Sequence, residues 1–107
     1  MALSDMPRPI KIHISHSTSK ADLGQLERML VNLRPAERRG RIEITRREGL
    51  HGQDFKEQLR QSVHAADIFI PLISPDWYAD DICQDVELAQ ALKQPAETVS
   101  IWPIRLA

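Results

Sequence analysis

Apolar residues recur along the chain in two alternating rhythms. Ile10, Ile12 and Ile14 fall at every second position, the period of a strand. A polar stretch, residues 15–19, follows and offers N-cap candidates. Leu23, Leu26, Leu30 and Leu33 then recur at helical spacing from about Lys20. Pro35 and Gly40 bound the segment expected to close this helix. Residues 41–45 alternate again, short and half polar, as an edge strand does. Residues 46–53 contain Gly49 and Gly52 and read as a loop. Asp54 with Glu57 three residues on predicts an N-cap and capping box ahead of a helix with Phe55, Leu59 and Val63 on one stripe.

Residues 67–74 form a nearly continuous apolar run, the pattern of a parallel strand covered on both faces. Pro71 within it cannot donate to a ladder, and a bulge is the expected accommodation. Residues 74–80 are expected as a loop. In the helix predicted over 80–93, Ile82, Val86 and Ala89 share a stripe, with Leu88 and Leu92 beside it. Residues 99–104 supply a fourth strand. The order β-α-β-α-β-α-β predicts an α/β domain with a parallel sheet and helices on both faces. Ligands bind such sheets beyond the carboxyl ends of the strands. Three loops are therefore placed to form a site: residues 15–19, 46–53 and 74–80.

Composition narrows the picture. The 107 residues are 42% hydrophobic and 27% charged, which fits one ordered domain over 10–107 after a short N-terminal tail, 1–9. A single Cys excludes a disulfide framework. No apolar run is long enough to span a membrane. The first residues lack an apolar signal-peptide core, so the cytoplasm is the expected location. The net charge of -1 gives no general attraction to nucleic acid or membrane. Charge is segregated, however: residues 34–60 are basic and residues 61–97 acidic. Either this is scatter over solvated helix faces, or it supports a head-to-tail self-contact.

Several chemistries are absent from the sequence. There is no G-x-G-x-x-G after the first strand and no phosphate-binding G-x-x-x-x-G-K-[ST]. The first strand ends in serines, not in the acidic cluster of a phospho-receiver. His13, His16, His51 and His64 show no metal-like spacing and are expected at loop or surface positions. Cys83 lies near a helix start, where a thiol can be activated, but no His is local to it, and a packed Cys is the simpler expectation. Among the carboxylates, a helical wheel sets Glu87 off the apolar stripe on the flank of Cys83. It puts Asp85 inside the apolar arc as a cap.

Taken in order, four segments resemble a Toll/interleukin-receptor (TIR) domain of bacterial type. They are KIHISHSTSKAD (11–22), GLHGQDFKEQLRQSVHAADIFIPLISPDW (49–77), DDICQDVELAQAL (80–92) and VSIWPIRL (99–106). The resemblance implies a flavodoxin-like sheet of order 2-1-3-4. It also implies an NAD glycohydrolase that splits the nicotinamide–ribose bond, giving linear or cyclic ADP-ribose, with Glu87 as catalytic carboxylate and NAD as substrate, not cofactor. A pocket of His16, Ser17, Leu50, His51, Gly52, Trp77, Tyr78 and Cys83 follows from it, Trp77 and Tyr78 either stacking on a ring or packing in the core. No metal is implied.

The same resemblance implies activation by self-assembly, and the charge segregation would then bring Arg38, Arg39, Arg41, Arg46 and Arg47 of one copy to Asp76, Asp80, Asp81 and Asp85 of the next. It further implies a role in prokaryotic immune or stress signalling, including antiphage defence, and a fused sensor domain. The family continues beyond a fourth strand, so the chain is expected to be either part of a longer effector or a minimal version of the domain, with the last edge open. A non-catalytic interaction module is the rival reading. The chain departs from the family at His13, where an aromatic is frequent, at Arg46 and Arg47, where acidic residues are frequent, and at His51, where Pro often precedes the loop glycine.

Overall fold

Strand β1 (Ile10–Ser15) occupies the middle of the sheet in a computed structural model that describes residues 8–48, 50 and 52–106. It pairs in parallel with β2 (Ile42–Thr45) on one side and with β3 (Ile68–Ile73) on the other. β4 (Ser100–Ile101) and β5 (Ile104–Arg105) both run parallel to β3, on its far edge. The order is therefore β2-β1-β3-β4, as expected. Helix α1 (Lys20–Arg38) links β1 to β2, and α2 (Phe55–Ala65) links β2 to β3. The first connection runs from β1 outward to β2 and the second returns across β1 to β3, so right-handed crossovers place the two helices on opposite faces.

Alternation along β1 and β3 divides the core between the two faces of the sheet. Ile12 and Ile14 pack with Leu26, Ile70 and Leu72, against which Met29, Leu30 and Leu33 of α1 settle. On the opposite face Phe69 packs with Val63, Ala91 and Val99. α1 starts at Ser19, whose hydroxyl accepts from the Asp22 N–H, and it carries Pro35 inside its last turns instead of ending there. Gly40, at φ 71°, reverses the chain after α1, a conformation that strains any residue with a Cβ. Asp54 does precede α2, but its side chain makes no capping bond.

No bulge is needed at Pro71, which stays in register opposite Ser15. The carbonyls of Asp67, Phe69 and Ile73 accept from Ser100, Trp102 and Leu106, so odd-numbered residues of β3 face the β4/β5 edge. Pro71 shares that parity, and its missing N–H falls where pairing lapses between Ile101 and Ile104. The expected single fourth strand is thereby split in two. Its outer side is uncovered: Ile101, Trp102 and Ile104 are exposed.

Two further differences concern the segment after β3. Residues 75–79 are not loop but a one-turn helix, α3 (Pro75–Ala79), with Pro75 in its first turn and the Ser74 hydroxyl accepting from the Trp77 N–H. The next helix is π-helical from Ile82 to Leu88 before continuing as α4 (Ala89–Lys93). Its i→i+5 bonds widen the turn, so a wheel drawn at α-helical spacing misplaces side chains. Cys83, Val86, Glu87 and Ala91 are the buried set, while Asp85 is exposed and Leu92 is 66% exposed.

These placements predict unequal costs on truncation. Phe69→Ala should destabilise by about 3–5 kcal/mol, the usual range for a buried ring. Leu92→Ala should stay within about 0.5 kcal/mol. Urea unfolding of both variants measures this, and a large loss at Leu92 would restore the α-helical wheel.

Candidate functional site

β1 ends at the point where the sheet's connections part to left and right, which in open α/β sheets is where ligands bind. The last polar residues of β1 point not to solvent but toward the π-helix. Glu87 has no exposed surface. Its Oε2 accepts from His13 Nε2–H at 2.6 Å and its Oε1 from the Ser15 hydroxyl at 3.1 Å. His13 Nδ1 lies 2.8 Å from Thr45 Oγ1, and the ring stacks parallel to Phe69 at 6.0 Å. Because the carboxylate only accepts, Nε2 carries the proton, and the Thr45 hydroxyl can donate to Nδ1. Ser15 Oγ in turn accepts from Trp77 Nε1–H at 3.0 Å. A continuous chain, Thr45–His13–Glu87–Ser15–Trp77, thus crosses the core from β2 to α3.

A second polar knot closes the ends of β1 and β3. Asp22, 5% exposed, accepts from the Ser17 hydroxyl at 2.6 Å and from the Ser74 hydroxyl. Arg47 forms a two-pronged pair with Asp80, at 2.8 and 3.0 Å, and Asp80 Oδ1 also accepts from the Cys83 N–H. That pair ties the segment after β2 to the start of the π-helix.

Between these groups opens a cavity of about 510 Å³, lined by His16, Thr18, Leu23, Arg47, Glu48, Leu50, Phe55 and Ile82. Its walls are mostly apolar. Two polar atoms on its lining residues are buried with no partner among the described residues: His16 Nε2 and Arg47 Nε. His16 Nδ1–H donates to the Ser17 carbonyl at 2.8 Å, so in the neutral ring Nε2 is a free acceptor. Arg47 Nε–H is a free donor. Glu87 follows Ile82 by five residues along the π-helix; it is not among the residues that line the cavity, but its charge acts on the His16 ring that does.

Of the residues expected at a pocket, the structure brings His16 and Leu50 to this cavity. Ser17 is buried in the Asp22 knot. Gly52 is exposed, with φ 93°. His51 lies outside the described residues. Trp77 packs in the core, 2% exposed, and Tyr78 is 63% exposed with its ring edge-on to Trp77. Cys83 is fully buried and its Sγ–H donates to the His16 carbonyl. Burial, then the charge of Glu87, push its thiol far above the usual range, the opposite of an activated cysteine.

Of the charged residues expected between copies, Arg47 and Asp80 pair with each other and Arg46 pairs with Glu48, all within the chain. Arg38, Arg39, Arg41, Asp76, Asp81 and Asp85 remain exposed. His13 is a fully buried strand residue, contrary to the loop or surface position expected of it, while His16 sits in the expected loop but is buried there. His13, Ser15, Thr45 and Asp22 were not singled out as functional. For His13 and Ser15 the signal lay in the alternation of β1, where every second residue is polar in a strand that the topology buries on both faces.

No protein-family model and no curated protein sequence matches the chain. Among solved structures it is similar to the TIR domain of the Toll-related receptor TRR-2 from Hydra magnipapillata, with a TM-score of 0.57 and 19% identity. The alignment covers 86% of this chain and 66% of that one, so the chain spans just under two-thirds of that domain. This likeness shows the fold: the chain has a TIR-type α/β architecture. No helix among the described residues is long and apolar enough to cross a membrane.

Burial also pushes the His16 imidazole below its ordinary value, against the raising effects of its Ser17 bond and the Glu87 charge. Below about pH 6.5 the unfolded chain therefore binds a proton that the folded state resists. The stability conferred by neutral His16 is full above that pH and is lost as pH falls toward the folded value. The urea midpoint should fall from about pH 7 to about pH 5, and His16→Gln should flatten that fall. Equal slopes in the two proteins would contradict the burial of His16. Iodoacetamide should leave Cys83 unmodified in the native state and label it on unfolding; rapid native labelling would contradict its high pKa.

Proposed function

We propose that this TIR-type domain cleaves the nicotinamide–ribose bond of NAD, with Glu87 as the carboxylate that stabilises the reacting ribose. The observation that carries this reading is a pair of polar atoms, without partners among the described residues, on an apolar cavity whose His16 lies within the field of the buried Glu87 carboxylate. A primary carboxamide on a flat ring offers a carbonyl oxygen to accept from Arg47 Nε–H and an NH2 group to donate to His16 Nε2. Nicotinamide is such a ring.

The chemistry asks for little beyond a carboxylate. The bond between ribose C1′ and the pyridinium nitrogen breaks with its electron pair passing to the ring, so nicotinamide leaves neutral and needs no acid. The ribose becomes an oxocarbenium ion, and a nearby carboxylate stabilises that charge and binds the ribose hydroxyls. Water then adds to C1′ and releases a proton to solvent; adenine takes water's place if the product is cyclic.

The complete burial of Glu87 makes the monomer a closed form. Activity follows opening of the layer above it, where the Arg47–Asp80 pair joins the segment after β2 to the π-helix. Self-association through TIR–TIR contacts supplies that opening, and the charges left exposed for it are Arg38, Arg39 and Arg41 on one side and Asp76, Asp81 and Asp85 on the other. Clustering by a fused sensor domain in immune signalling would use the same surfaces. A scaffold without turnover is the second reading, favoured by one fact: both oxygens of Glu87 are already hydrogen-bonded inside the protein.

Free nicotinamide released from NAD tests this. Release per molecule should rise with protein concentration and fall with added salt, since rim charges are screened over about 8 Å at physiological ionic strength. Glu87→Gln should lower it by about 10²-fold or more while the fold is kept. No release from clustered wild-type protein would establish the scaffold, and full activity of Glu87→Gln would remove Glu87 from the reaction.

A further inference from the structure

We infer that His13 is a positioning residue for Glu87, holding one carboxylate oxygen so that the other is presented to substrate; this rests on the catalytic reading of Glu87 above. The two oxygens are not equivalent. Oε2 is 2.6 Å from His13 Nε2, shorter than most charge-assisted N–H···O bonds. Oε1 has a single 3.1 Å bond from a hydroxyl.

The donors differ in mobility as well. His13 has no exposed surface and is fixed three ways: by its place in a strand paired on both sides, by Phe69 against its ring face, and by Thr45 at Nδ1. It cannot follow the carboxylate outward. Ser15 Oγ–H turns about one bond, and its oxygen is already occupied by Trp77 Nε1–H. Freeing Oε1 therefore breaks one long hydrogen bond, while Oε2 stays anchored to the sheet. A carboxylate that must meet developing charge at C1′ gains from such an anchor, because catalytic groups lose rate steeply when misplaced by an ångström. His13 itself touches no substrate; it acts through Glu87.

The test compares His13→Leu and His13→Gln with wild type by two independent readouts. Steady-state nicotinamide release on clustered protein gives kcat and KM. Carbon-13 NMR of protein labelled at glutamate Cδ gives the Glu87 carboxyl resonance, assigned by its loss in Glu87→Gln. His13→Leu should lower kcat by about 10–10²-fold with KM within about twofold, and should shift the Glu87 resonance. His13→Gln keeps an N–H donor and should recover much of both, and it carries the test if the Leu variant does not fold. An unchanged Glu87 resonance in both variants, or equal kcat losses without rescue, would overturn the inference. If wild-type protein releases no nicotinamide, the NAD-cleaving reading falls, and the resonance alone still decides whether His13 holds Glu87.

Discussion

A carboxyl group with no access to water has to be answered by protein donors, and in this chain one central strand supplies them. Burying an unpaired carboxylate is costly enough that the surrounding structure is committed to the arrangement. Glu87 reaches β1 because the helix that carries it is π-wound, and it finds His13 and Ser15 because β1 turns its polar residues inward. The strand is held in turn by β2 through Thr45 and by α3 through Trp77. Sheet, π-helix and the polar chain between them are therefore one construction. Loosening any member exposes a polar group to an apolar core.

The architecture was legible because its signals are repeated. Three strands with period two or unbroken apolar runs, separated by helical spacings, leave few topologies once right-handed crossovers are required, and the order β2-β1-β3-β4 is among them. The helix bearing Glu87 was legible in place but not in kind. No local residue pattern distinguishes π from α winding, so Asp85 and Leu92 were assigned inward and stand outside. Pro71 misled in the other direction. A proline in a central strand argues for distortion, yet here its missing donor faces an edge whose own pairing lapses at that point.

The site divides along the same line. His16 and Leu50 could be placed from loops known to gather at strand ends. His13 could not, because a polar residue at every second position of a strand ordinarily faces solvent. Only the helices on both faces turn that alternation into a buried network. Arg47 and Asp80 show a related ambiguity: opposite charges far apart in sequence suggested a contact between copies, and the fold brings them together within one.

The dependence of the structure on the contact between β1 and Glu87 is measured most directly by an equilibrium double-mutant cycle, His13→Leu with Glu87→Met. Each single variant leaves a buried polar group without its partner, whereas the double variant replaces both with apolar groups. The account predicts single losses that do not add, with a coupling of about 1–3 kcal/mol. Losses that add to within about 0.5 kcal/mol would mean that the two side chains do not support each other, and would contradict it.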